Sequence, residues 1–135
     1  MKTPAEIVKT MYDGDAFSQW LGIEVLETQA GYCKLQMRVR EEMTNGFKIA
    51  HGGICFSLAD SALAFAANGH GPQAVSIETS ISHHKPVPLG AILIAEAKEI
   101  KQSRQLGVYE VLVRGAAGEL YAHFKGSVLR TGKDW

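Results

Sequence analysis

Between Gly53 and Asn68 the chain carries Ile54, Cys55, Phe56, Leu58, Ala59, Ala62, Leu63, Ala64, Phe65, Ala66 and Ala67, which places apolar groups all around a helical wheel. A helix with no wet face must be covered by the rest of the chain on nearly every side. Gly69 and Gly71 are candidate C-terminal caps, and Pro72 cannot continue the helix. With 135 residues the chain can build one core and would starve a second, so residues 1–135 are expected to form a single domain.

The remaining segments supply the cover. Residues 4–13 place Ile7, Val8, Met11 and Tyr12 at helical spacing before Asp13-Gly14-Asp15, which predicts a short amphipathic helix. Two strands are expected at 23–28 and 32–40, joined by Gln29-Ala30-Gly31 as a hairpin connection. In the second, Cys33, Leu35, Met37 and Val39 alternate with Lys34, Gln36, Arg38 and Arg40, the pattern of a sheet with one wet face. Four more strands are expected at 74–83, 91–100, 106–114 and 120–129, connected as an antiparallel meander, with Thr131–Trp135 as a loose tail. A twisted antiparallel sheet curled around one long buried helix accommodates this order, giving an α+β fold. Such a sheet keeps an edge and an outer face to protect, so a dimer that continues the sheet across two chains is expected.

Composition narrows the function. Fourteen Lys and Arg balance fourteen Asp and Glu, which disfavours a nucleic-acid binder with a broad basic surface and favours a small or apolar ligand. The two cysteines, Cys33 and Cys55, are too far apart for a Cys-x-x-Cys redox or zinc pair, as in a reducing compartment. The first residues contain no apolar signal core, and no apolar run reaches the roughly 18 residues of a membrane span, so a soluble cytoplasmic protein is expected.

Asp60 is the residue that the apolar pattern cannot explain, because burying an unpaired carboxylate is costly. A local hydrogen bond to Ser57 or Ser61 is the plainer reading of an isolated acid. Its neighbourhood points further: His51-Gly52-Gly53 stands at the start of the same helix, where open N–H groups and the positive helix end can hold an oxyanion. Gly52 and Asp60 are eight residues apart, roughly 12 Å along a helix rising about 1.5 Å per residue. One carbonyl cannot touch both within one chain, so joint action requires Asp60 of one subunit to meet Gly52 of another.

Asn45-Gly46, His51-Gly52-Gly53 and Ser57-Leu58-Ala59-Asp60, with Leu21-Gly22-Ile23 upstream, resemble the phenylacetate-degradation (PaaI-type) branch of the hotdog acyl-coenzyme A thioesterases. The resemblance covers nearly the whole chain. It implies that the Gly52 N–H polarises the thioester carbonyl, and that Asp60 of the partner subunit activates water or attacks the carbonyl directly. It further implies that Asn45 and His51 steady the pocket and that Ser76 helps place the attacking water; Gly53, whose N–H is expected to be open beside that of Gly52, is a further candidate for substrate binding. Lys85 is placed for a phosphate of coenzyme A. No metal and no cofactor is required, and a homodimer with shared active sites, paired into a homotetramer, is expected. Phe47-Lys48-Ile49-Ala50 departs from the family pattern beside the acyl pocket, and His83-His84-Lys85-Pro86 stands where a more apolar run is expected.

Rival chemistries are weaker. His51, His70, His83 and His84 lack a metal-site spacing, and adjacent His83 and His84 on a strand would face opposite ways. Cys55, four residues after His51, is an alternative nucleophile, against which stands its reading as a core cysteine. Hydration or dehydration of acyl thioesters on the same fold, and non-catalytic acyl-coenzyme A binding, are the remaining alternatives.

Overall fold

A computed structural model describes residues 1–135. The element order is α1 (Pro4–Asp13), α2 (Ala16–Leu21), β1 (Glu24–Gln29), β2 (Tyr32–Arg38), a 3-10 turn (Glu41–Met43), α3 (Gly52–Asn68), β3 (Pro72–His83), β4 (Ile92–Gln102), β5 (Leu106–Gly115) and β6 (Leu120–Asp134). The six strands form one antiparallel sheet in the order β1-β2-β4-β5-β6-β3. It curls around α3 as the periodicity requires.

The inner face of the sheet is built from alternate residues. Cys33, Leu35 and Met37 of β2, Leu93, Ala95 and Ala97 of β4, and Tyr109, Val111 and Val113 of β5 are all buried. They pack with Leu58, Ala59, Ala62, Leu63, Phe65 and Ala66 of α3 in one continuous core. Each large side chain here contributes roughly 1.5–3 kcal/mol by leaving water. The helix lies close against β6, where a Cβ placed on Gly126 would sit 2.6 Å from Leu63 Cδ2. No helix is long and apolar enough to cross a membrane.

α1 forms as the sequence predicts, with Thr3 Oγ1 accepting from the Glu6 N–H and Pro4 in the first turn. α2 is too short to show a period and is absent from the sequence reading. Its start is fixed by Asp15, whose Oδ1 accepts from the Ser18 N–H, and its end by Gly22 in the left-handed region at φ +74°. α3 ends at Gly69, which retains right-handed helical angles, and Gly71 rather than Gly69 takes positive φ.

Two further expectations are corrected. The four later strands do not form a simple meander: β4, β5 and β6 do, but β3 pairs with β6 at the far edge while β4 returns beside β2. The segment between β3 and β4 holds Pro86 and Pro88, which suit a crossing connection better than a tight hairpin. The tail is also not loose. β6 continues to Asp134, the Trp135 N–H donates to Gly71 O at 3.1 Å, and its indole Nε1 donates to Asn68 Oδ1 at 2.8 Å.

The exposed edges are β1 and β3. On β3, Val75 and Ile77 stand 53 % and 56 % exposed, an apolar edge of the kind that proteins normally pair or blunt.

Candidate active site

A cavity of about 350 Å³ opens at the N-terminus of α3, bordered by Asn45, His51, Gly52, Cys55, His83, His84 and Lys85 among others. His51 is the N-cap, extended at φ −60° and ψ 141°, and its Nδ1 accepts from the Gly53 N–H at 2.9 Å. Its carbonyl accepts from Ile54 N–H at 2.9 Å. Gly53 is therefore not an open donor, contrary to the sequence expectation. Gly52, at the first helical position, has no intrahelical acceptor for its N–H, and no other group takes that role.

The preceding loop sets the wall. Asn45 N–H donates to Ile49 O at 2.8 Å, Lys48 N–H donates to Asn45 O at 3.0 Å, and the Asn45 side-chain Oδ1 accepts from Phe47 N–H at 2.9 Å. Asn45 thus fixes the turn beside the cavity through its own side chain. Lys48 adopts φ +64° and Phe47 projects at the tip, 85 % exposed. Lys85 is exposed on the rim.

Cys55 lies beneath this cavity and is buried, and burial pushes its thiol up to about 11. That environment opposes the thiolate a cysteine nucleophile would need. His83 and His84 border the same cavity rather than opposite faces, because β3 ends at His83 and strand alternation stops there. A Cβ built on Gly52 would lie 3.4 Å from His83 Nε2 and 3.6 Å from Cε1. The sequence reading left His83 out of the site, since a tertiary approach from a separate strand has no local signal.

Asp60 opens elsewhere. Together with Met11, Asn68, Ala74 and Ser76 it borders a second cavity, between α3 and the edge strand β3. The carboxylate is half-buried and has no hydrogen-bond partner, so neither Ser57 nor Ser61 satisfies it. Ser61 Oγ instead pairs with buried Ser18 Oγ at 2.8 Å, and Ser18 Oγ donates to Asp15 Oδ2 at 2.6 Å. Burial raises the Asp60 pKa above its ordinary value, and the charge of Asp15 raises it further. Such a carboxylate is poised to take a proton. One chain thus presents the open Gly52 N–H and the Asp60 carboxylate in separate hollows.

Residues 47–122 match the model of a family described as the Thioesterase superfamily. The chain is 36 % identical over 122 residues to the acyl-coenzyme A thioesterase PaaI of Escherichia coli, covering 90 % of this chain and 87 % of that protein. It is 31 % identical over 121 residues to human acyl-coenzyme A thioesterase 13, covering 87 % and 86 %. The solved structure of the E. coli PaaI protein from the phenylacetic acid degradation operon superimposes with a TM-score of 0.95 at 34 % identity, over 97 % of this chain and 95 % of that one. The chain belongs to the thioesterase superfamily, as a hotdog-fold thioester hydrolase of the PaaI type.

Proposed function

We propose that this protein hydrolyses acyl-coenzyme A thioesters, with arylacetyl groups as the preferred acyl class, in sites shared between two copies of the chain. The observation that carries the reading is the division of the chemistry: the Gly52 N–H and the Asp60 carboxylate border different cavities of one chain. The exposed β3 edge, with Val75 and Ile77, offers the surface on which a second copy would bring the two halves together. The aryl preference follows from the likeness to the PaaI protein of a phenylacetic acid degradation operon.

In this scheme the thioester carbonyl oxygen accepts from the Gly52 N–H of one subunit. Asp60 of the other removes a proton from water as the water oxygen bonds to the acyl carbon. The tetrahedral oxyanion then collapses, the C–S bond breaks, and the proton held by Asp60 returns to the departing thiolate. A thiol whose ordinary pKa is about 8.5 needs little help in leaving. Asp60 takes the role of base in this scheme, and burial together with the charge of Asp15 raises its pKa, which strengthens its hold on the proton it removes. Ser76 shares the Asp60 cavity and is assigned the attacking water; Asn45, His51 and Gly53 hold the wall; Lys85 meets a coenzyme A phosphate. On the outer sheet face Ile94 and Leu112 stand among Lys34, Glu96 and Arg114, a surface suited to pairing two dimers into a tetramer.

Thiol release from aromatic and straight-chain acyl-coenzyme A esters, compared with the Asp60→Asn variant, tests the reading. Turnover that the variant loses by about 10²–10⁴-fold is expected. Enoyl absorbance changes without thiol release would indicate a hydratase, and binding without turnover a sensor; either would overturn the proposal.

A further inference from the structure

With coenzyme A along the cavity of Gly52 and Lys85, the acyl group of the substrate points the other way, into the hollow that opens beside Asp60. That hollow measures about 250 Å³, and an apolar cavity of about 150 Å³ is already enough for a benzene ring. Leu63 and Ala64 of α3 and Val128 of β6 line it from the core, while Met11 reaches it from α1. α1 stands outside residues 47–122, the part of the chain that matches the family model. Resting on the hydrolase reading above, we infer that Met11 is the wall that sets which acyl groups this chain accepts, admitting a phenyl ring or a short apolar chain and turning away long ones.

Asp60, Leu63, Ala64 and Asn68 recur at helical spacing on one face of α3, so the hollow follows the helix from carboxylate to amide over roughly 12 Å. Its far end has no hydrogen bond to offer. The Asn68 Nδ2 hydrogens go to Ala64 O and Ala74 O, and Oδ1 accepts from the Ala74 N–H and the Trp135 indole, which exhausts the amide. A polar acyl tip would lose its water there without gaining a partner, so the end suits an apolar group. Width is then decided by the apolar side chains. Leu63 and Val128 are buried in the core, Ala64 and Ala74 add only a methyl each, and Val75 belongs to the β3 edge on which a second copy would pair. Met11 remains, partly buried and unbranched. Its backbone is held firmly, because Ile7 and Val8 of the same helix are buried and the Tyr12 hydroxyl donates to Ile23 O at 2.7 Å.

Thiol release from acetyl-, phenylacetyl- and dodecanoyl-coenzyme A tests the assignment as a ratio between substrates. Met11→Ala is expected to raise kcat/KM for the dodecanoyl ester relative to the phenylacetyl ester by about 10-fold, the scale on which a methylene is discriminated in an apolar pocket. Met11→Trp is expected to lower the phenylacetyl ester relative to the acetyl ester by about the same factor. Met11→Leu, an exchange that nearly conserves volume, should keep the wild-type ratios. A merely structural methionine would move none of these ratios, because a loosened α1 depresses every substrate together. Ratios unmoved in both Met11→Ala and Met11→Trp, or a parallel fall for all three esters, would overturn the assignment, and either variant answers alone if the other fails to fold. Asp60→Asn run beside them keeps the two readings apart. If it is inactive while the Met11 variants keep wild-type ratios, the hydrolase reading stands and only the assignment of Met11 falls; if Asp60→Asn retains full turnover, or the wild type releases no thiol, the hydrolase reading fails and the inference with it.

Discussion

Half-buried and without a hydrogen-bond partner, the Asp60 carboxylate is held above its ordinary pKa by desolvation, with the charge of Asp15 adding to the shift. The folded state therefore binds this proton more tightly than the unfolded chain does. Protonated Asp60 contributes stability that is fully present below the ordinary carboxylate pKa and is lost as pH rises through the raised folded value. Asp60→Asn is accordingly expected to melt above wild type at neutral pH and level with it in acid below the ordinary carboxylate range, as thermal unfolding at the two pH values would read. An equal melting difference at both would remove the electrostatic explanation. Asp15→Asn tests the other half of the shift. Asn keeps an oxygen to cap α2 at Ser18, but without the charge the acid limb of kcat/KM should move to lower pH; an unmoved limb would detach Asp15 from Asp60. Asp60 was legible in the sequence because it is the one acid in an otherwise apolar helix. His83 was not, because its meaning lies in an approach to Gly52 across 31 positions of sequence. Gly53 was over-read for a related reason, since only the rotamer of His51 decides that its N–H is taken.

At the scale of elements, the join between α3, β3 and the chain end rests on one buried side chain. Asn68 Nδ2 donates to Ala64 O at 2.8 Å and to Ala74 O at 3.0 Å, while its Oδ1 accepts from Ala74 N–H at 2.9 Å and from the Trp135 indole at 2.8 Å. Asn68→Ala would leave the Ala74 N–H and the Trp135 indole N–H without their acceptor, at a cost of about 2–3 kcal/mol. A fall in the urea midpoint of corresponding size is expected, and a loss below about 0.5 kcal/mol would show that water replaces the amide. Periodicity revealed α3 and β2 because each repeats over enough residues to establish a face. It could not reveal α2, whose six residues Ala16–Leu21 span less than two turns. Strand adjacency was equally invisible: β3 and β4 follow each other in sequence but sit five places and two places from the β1 edge of the sheet. The tail was misjudged because its order depends on Trp135 finding Asn68, a residue 67 positions away.

For the whole molecule, the decisive question is whether one chain holds a complete site. Ile77→Arg places a charge on the exposed β3 edge, and at an edge that pairs with a second copy it should yield monomers without turnover, measured by light scattering and thiol release. A fully active monomer would refute the shared site. Mixing two dead variants is stricter. Gly52→Pro deletes the open N–H with little strain, because proline suits the first position of a helix and His51, at φ −60° and ψ 141°, already has the extended backbone required before it. Asp60→Asn deletes the carboxylate. Each homodimer then lacks one group in both sites. In a heterodimer with shared sites, one site collects both defects and the other receives intact Gly52 from one chain and intact Asp60 from its partner. Random reassortment of an equal mixture makes half the dimers mixed, so about one quarter of wild-type activity should return after unfolding and refolding the variants together. If Gly52 and Asp60 served the same site within one chain, every site in the mixture would still lack one of them. Activity would then remain at the sum of the two variants.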